Sequence, residues 1–415
     1  MKNNNFINLQ IGIWLICCLP LWSIAQLHID GAVVYISADA NLHSEGHISN
    51  SNNATFTNDG ILSTNGNIQN QNGATLQGNG LYSLEGDWQN SAIFNMGTAS
   101  VVNIHGDTHS EITSAGHPIY WLLIDKDAAN VHLNDDTPIA NRLFFFASNN
   151  KLLLNGNTLS LWEEATIAGH DESSYIITGS DGEVVKSGLS GTSFTFPIGH
   201  DEFSYNPISI TQNGAADIGV RCLAQHYENG LTGNAYTSDA VDASWQLTQA
   251  SAGDNDLDVQ VQWHISHELG FDRENCAIGL WDGSSWDHGT IDGSSANGSG
   301  TVFEQNREGI TAVGILGVRS GMGLVDLQEI GTDQTPLRIY PNPFSNKLYV
   351  LNAQNDIQLF DLTGRLVFQQ SVHAIGTNNS PVKLDLSTLP NGSYILKSQN
   401  QENQLLTIKI IKMSK

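Results

Sequence analysis

Apolar residues between Gly46 and Gly106 stand singly among polar ones and recur every twenty positions. Ile48, Ile68 and Trp88 share one phase, as do Ile61, Leu81 and Val101, and Phe56, Leu76 and Met96. The polar frame keeps step: Gly46, Gly66, Gly86 and Gly106 open successive rows, and Asn50, Asn70 and Asn90 fall in register. Helical periodicity is missing. Twenty residues without it make short strands joined by turns, and Asn65-Gly66, Asn72-Gly73 and Asn79-Gly80 supply corner residues that tolerate positive φ. One coil per repeat, stacked on the next, predicts a parallel β-helix. Equivalent strands then lie about 4.8 Å apart, and equivalent Asn side chains can form hydrogen-bonded ladders.

A leucine-rich repeat has this period but needs a dense Leu pattern and a helix, both missing; a stack of Asn-Gly hairpins is the competing arrangement. The pattern loosens after Gly106, yet Lys151–Glu163 and Tyr175–Gly188 still read as short strands broken by Gly turns. The solenoid is therefore expected over residues 26–190, as about eight coils stacked over about 40 Å. From Phe194 the period changes. Strand-like runs at Ile208–Thr211, Ile218–Ala224, Ala243–Leu247, Leu257–Trp263, Ala277–Trp281 and Thr311–Gly317, with Gly, Asn and Asp turns between, predict a β-sandwich over 191–320. Trp245, Trp263, Trp281 and Trp286 are expected as core anchors, an exposed aromatic platform for sugars being the alternative. Gly321 to Pro336 reads as a linker before a last module, 337–415, so the expected fold class is all-β throughout.

The first 25 residues differ in kind. Lys2 and Asn3–Asn5 precede an apolar stretch from Ile11 to Trp22, then Ser23-Ile24-Ala25 before Gln26. This is the order of a secretory signal peptide cleaved between Ala25 and Gln26. The apolar run is interrupted by Pro20 and is shorter than the roughly 20 residues of a membrane span, an uncleaved anchor being the alternative. Cys17 does not suit a lipoprotein site, because bulky Ile16 precedes it.

Charge separates the modules further. The chain has 415 residues with 17 Lys+Arg against 42 Asp+Glu, a formal charge of −25. Residues 26–336 hold 38 acids and 8 bases, whereas residues 337–415 hold 4 acids and 8 bases. So acidic a body excludes nucleic-acid binding, which needs Lys and Arg against phosphate, and docking on anionic lipid. Loss of the signal leaves Cys222 and Cys276, which an oxidising compartment can join in one disulfide or leave as two buried thiols.

The last module carries the one specific motif set. Tyr340-Pro341-Asn342-Pro343-Phe344 opens it, with prolines that fix an extended segment outside any central strand. Asp361-Leu362-Thr363-Gly364-Arg365 forms a hairpin turn between apolar strands, Leu389-Pro390-Asn391-Gly392 a turn before Tyr394, and Leu405–Met413 a basic, β-branched last strand. The pattern predicts a compact sandwich of about seven strands. This combination resembles the type A C-terminal sorting domain of the bacterial type IX secretion system, an Ig-like sandwich, over about residues 337–415. The resemblance implies passage through the periplasm and then the outer membrane, with the secretion machinery and a sortase-like peptidase as partners. It also implies a cut near residues 321–336, and a body released outside or attached to surface lipopolysaccharide. More loosely, the body is similar to solenoid-plus-sandwich cargo proteins of that system.

Catalytic motifs are few. A β-helix polysaccharide lyase needs clustered acids for calcium and a Lys or Arg, but residues 26–190 offer as bases only Lys126, Arg142, Lys151 and Lys186, all outside the regular coils. The pairs Asp135-Asp136 and Glu163-Glu164 read as solvated turns. Asp254-Asn255-Asp256-Leu257-Asp258 lacks the Gly and Glu of a calcium loop, having Val259 and Ile265 in their places. Trp263-His264-Ile265-Ser266-His267-Glu268 has no zinc-protease spacing. No motif requires a metal or another cofactor. The expected function is that of an exported, non-catalytic surface or secreted protein, adhesin-like or structural, that binds a glycan or a surface protein. A β-helix polysaccharide lyase or glycoside hydrolase is the alternative.

Overall fold

A computed structural model describes residues 26–250, 255–287, 293–320, 338–351, 353–372, 382–399 and 405–413. The proposed signal peptide and the 321–336 linker lie outside them. The described residues are nearly all β and fall into two compact units, one on either side of residue 323.

The first unit begins as a parallel β-solenoid of about eight turns. One face is a nine-stranded parallel stack running from Leu27–Asp30 to Ile198–Gly199. Pairing at twenty-residue offsets, Ile48 with Ile68 and Ile68 with Trp88, is parallel, which rules out the hairpin stack. Inward residues of successive coils, such as Phe56, Leu76, Leu62 and Tyr82, are buried. A second face has only four strands, Val33–Ile36, Thr55–Asn58, Thr75–Gly78 and Ile93–Met96. Coils beyond Gly106 drop this strand, and their length is freed from the twenty-residue repeat.

Even within the repeat one register departs from expectation. Phe94, not Met96, lies beside Leu76, and Met96 lies beside Gly78. The turn Gln71–Ala74 of the previous coil has shrunk to Ser91-Ala92, so the next strand begins two residues sooner. The Asn-Gly pairs also divide by role. Asn72 and Gly73 take φ of 55° and 74°. Gly80, by contrast, is glycine because a Cβ there would stand 2.4 Å from the Gly60 carbonyl oxygen of the coil beneath.

The third solenoid face does not stop near residue 190. Its last parallel strand, Glu183–Leu189, pairs antiparallel with Ala216–Leu223, and the sheet runs on through Ala240–Gln249 and Ile315–Ser320 to Cys276–Trp281. A five-stranded antiparallel sheet, with Ile208–Gln212 and Leu257–His264 at its centre, packs on it. One buried apolar cluster extends from Ile29 to Val318. The change near residue 190 is thus a change of strand pairing within one core. Of the run expected at Thr311–Gly317, residues 311–314 connect the strands Val302–Ile310 and Ile315–Ser320, and residues 315–317 begin the second of them.

Among its described residues the second unit has seven strands in two sheets. Arg338–Tyr340, Lys347–Leu351 and Val382–Asp385 form one sheet. Leu366–Val372, Gln354–Phe360, Gly392–Gln399 and Leu405–Lys412 form the other. Phe344, Leu348, Leu359, Leu384, Tyr394 and Leu396 are among the residues of its separate core.

Candidate functional site

In the sandwich of the second unit, only Phe344 and Tyr394 of the entry and turn motif residues are buried, and most of the others lie exposed in turns. Phe344 is buried, and its N–H donates to the Ile411 carbonyl while Met413 N–H donates to the Phe344 carbonyl. Asn342 acts as a short strand of its own: its Nδ2 donates to the Lys409 carbonyl at 3.1 Å, and its Oδ1 accepts from Ile411 N–H at 2.8 Å. The peptide bonds before Pro341 and Pro343 are cis. Tyr340, half exposed, stacks on Tyr349.

Asp361 gathers the D-L-T-G-R turn. Its Oδ1 accepts from Thr363 N–H, the Thr363 hydroxyl and Arg365 N–H, and its Oδ2 from Arg365 Nε at 3.0 Å. These bonds, the Thr363 hydroxyl's first, hold its carboxyl down at about 2. Gly364, at φ 84°, closes the turn and leaves Leu362 exposed at the tip. At the turn before Gly392, Tyr394 Oη donates to the Pro390 carbonyl at 2.7 Å. The buried Lys412 ammonium donates to the carbonyls of Leu386, Ser387 and Leu389, beside Gly392.

In the solenoid, the bases come after the regular coils that end at Gly106, and three of them are taken into the later coils. Lys126, Lys151 and Lys186 are buried within them. Lys126 Nζ donates to the Glu85 carbonyl at 2.8 Å and the His105 carbonyl at 2.6 Å. Lys186 Nζ donates to the carbonyls of Trp162, Glu163 and Ser187, and Lys151 Nζ to that of Ser173 while lying over the Tyr175 ring. Burial pushes the Lys126 ammonium down to about 8, against the opposite pull of Asp87, Glu85 and Asp107. A buried ammonium with three donors satisfies several backbone carbonyls at once. Arg142 lies over the Trp121 ring on the outer face.

Asp135 and Asp136 tie coils together instead of standing free. Asp135 accepts from Ser114 and Ala115 N–H in the coil before, and Asp136 from Thr158 N–H in the coil after. The Asn ladder forms as expected. Asn50 Nδ2 donates to Asn70 Oδ1 at 2.9 Å and Asn70 Nδ2 to Asn90 Oδ1 at 2.7 Å.

Cys222 and Cys276 are buried free thiols, so the disulfide alternative fails. Two strands separate theirs in the sheet, at about 4.8 Å per step, far beyond the 4.4–6.8 Å between Cα atoms that a disulfide spans. Burial pushes the Cys222 thiol far up. Trp245 and Trp263 are core anchors as expected, but Trp281 and Trp286 are half-buried and pack against each other.

The two acidic and His-rich runs do not converge on a metal position. Asp254 lies outside the described residues, and Asp258 is taken up by Gly309 N–H and Asn213 Nδ2. His264 caps a short 3-10 turn, and Glu268 is clamped by Arg273 and the Trp263 indole. Among the described residues no cluster of three His, Cys, Asp or Glu side chains could hold a metal ion.

A place not foreseen from sequence is the loop His200–Asn206, which follows the last coil of the solenoid. The loop is tightly held. Ser204 Oγ accepts from His200 and Asp201 N–H, Asp201 Oδ1 from Phe203 N–H, and the Asp201 carbonyl from Tyr175 Oη. Phe203 at its tip is 89% exposed and borders two cavities, of about 260 and 160 Å³. Glu172, Tyr205 and His264 line the larger; Asp201, Asn206, Asp242 and His267 line the smaller. Burial, aided by His264, pushes the His267 imidazole down, and burial pushes the Asp242 carboxyl up. The only hint in the sequence was an aromatic after two acids, Asp201-Glu202-Phe203, in a short segment that follows Gly199.

Residues 338–413 match the family described as the secretion system C-terminal sorting domain. The comparisons with curated proteins and with solved structures gave no match. The tail is thus a type IX sorting domain, and it supports secretion by that route.

Proposed function

We propose that this chain is an exported, non-catalytic binding protein. Its solenoid-and-sandwich body works at the cell surface or in the medium, after a signal peptide ending at Ala25 and the C-terminal domain have directed it there. A sortase-like peptidase then removes the tail within residues 321–336. The observation that carries the non-catalytic reading is the use made of the solenoid's bases. Lys126, Lys151 and Lys186 are spent on backbone carbonyls, and Arg142 lies over Trp121. A lyase must bring such a base to an open groove beside its acids.

The test offers bacterial, plant and animal polysaccharides and surface-protein extracts to the purified protein, scoring retention and product release together. Retention without new reducing ends or unsaturated products is the expected result. Depolymerisation of any substrate at a rate set by the protein concentration would overturn the reading in favour of a β-helix lyase or hydrolase.

A further inference from the structure

We infer that the open first coil of the solenoid docks end to end on the same coil of a second copy of this chain. Its three strands, Leu27–Asp30, Val33–Ile36 and Asn41–Ser44, each stand at the edge of a sheet, with a neighbour on one side only among the described residues. Bonds to the next coil use alternate residues. Leu27 N–H donates to the His47 carbonyl and Gly31 N–H to that of Ser51. The carbonyls of Ala32 and Ile36 accept from Thr55 and Asp59 N–H, and those of Ala40 and Ser44 from Ile61 and Asn65 N–H. The backbone groups of His28, Asp30, Val33, Tyr35, Asn41 and His43 therefore point the other way, off the end of the stack. The core is open there too. Leu27, Val34 and Leu42 are only partly buried, whereas the residues in register one coil on, Ile48, Phe56 and Leu62, are 1%, 0% and 0% exposed.

Unpaired edges and half-covered apolar side chains at a solenoid end call for a cap. The other end has one: Asn206 N–H donates to the Ile198 carbonyl in the last strand of one face, and Glu183–Leu189 of another face is continued by Ala216–Leu223. With the proposed signal peptide removed, only Gln26 precedes Leu27, so no upstream segment remains to cover the first coil. A partner that covers it must offer three strand edges in the layout of one coil. A second copy does so by symmetry. A two-fold axis across the stack lays one face on itself and exchanges the other two, so each edge meets one running the opposite way. All three strands are four residues long, so the exchanged edges match in length. Antiparallel pairing keeps Leu27, Val34 and Leu42 on the inside and joins the two cores. Because the opposite end of each solenoid is taken, the contact closes at two copies instead of growing into a filament. The exposed Asp30 and Asp39 repel across the junction only weakly, since physiological salt screens charges beyond about 8 Å.

The inference rests on the proposed loss of residues 1–25. The test therefore uses a chain made to begin at Gln26 and end at Lys415, which separates docking from signal cleavage. Sedimentation velocity at physiological salt, over a wide range of concentration, is expected to show a species of twice the chain mass that falls to the monomer on dilution. Hydrogen exchange read by mass spectrometry should be at least tenfold slower over residues 27–44 in the dimer than in the diluted monomer. Val33→Pro removes one outward N–H and no bond to the next coil. It should weaken association at least tenfold and leave the urea midpoint unchanged. Should it fail to fold, Asn41→Pro makes the same change on another edge and should have the same effect. A monomer at every concentration, a dimer that the variants leave intact, exchange over residues 27–44 that ignores concentration, or growth past two copies would overturn the inference. So would a foreign chain that co-purifies with the secreted protein and slows exchange over the same residues.

Discussion

Replacing Asn70 by alanine removes the middle rung of a buried ladder. Asn70 Nδ2 donates to Asn90 Oδ1 and to the Ile93 carbonyl, and its Oδ1 accepts from Asn50 Nδ2. Three buried groups lose a partner at once. Each costs about 1–3 kcal/mol when stranded, so the expected loss is about 4 kcal/mol, allowing for relaxation. Asn50→Ala strands two acceptors, Asn70 Oδ1 and the Thr75 carbonyl, and should cost about 2–3 kcal/mol. In the double variant the Asn50–Asn70 bond vanishes with both its ends, leaving three stranded groups instead of the five of the separate changes. The two costs should therefore fall short of additivity by about 2 kcal/mol. Urea unfolding followed by tryptophan fluorescence is the assay, with Trp88 buried in the coil that holds Asn90. Additivity within about 0.5 kcal/mol, or a cost below about 1 kcal/mol for Asn70→Ala, would refute the ladder as a source of stability.

Lys126→Met should destabilise the first unit by about 2–3 kcal/mol, because it removes two charge-assisted bonds from buried carbonyls; a neutral or stabilising effect in the same urea assay would contradict the structural role. Asp361 should titrate near pH 2 by carbon NMR, below the ordinary 3.8. Its folded value is lower than its unfolded one, so its contribution to the second unit is complete above about pH 4 and is lost as the pH falls toward 2. A titration near 4 would mean that the turn does not hold the carboxylate. Neither Cys222 nor Cys276 should react with an aromatic disulfide reagent until the protein is unfolded, and both should then react; detection of one fewer thiol pair after denaturation would reveal a bond between them.

The sequence exposed what is local or periodic. The β-helix was legible because Ile48, Ile68 and Trp88 must stack at one offset, and any slip would turn side chains out of the core. Met96 misled because a turn two residues shorter moves the strand without disturbing the apolar pattern around it. The three buried lysines were illegible, since a lone Lys among polar residues reads as a solvated one and only coil geometry brings carbonyls around it. The sorting motifs were legible because turn chemistry is encoded in neighbours: Asp361 bonds only residues two to four places on. The Phe203 cavity gathers Asp201, Asp242 and His267 from separate segments, with no period to announce it. Nor could composition reveal that solenoid and sandwich share one core, because pairing changes at residue 190 while the sheet continues.

The account rests on the tail acting as an address that is read and then removed. Intact-mass spectrometry of the protein recovered outside the producing cell tests this directly. The expected species begins at Gln26 and ends within residues 321–336, leaving an acidic body without the basic last strand. An extracellular chain that still ends at Lys415 would contradict it.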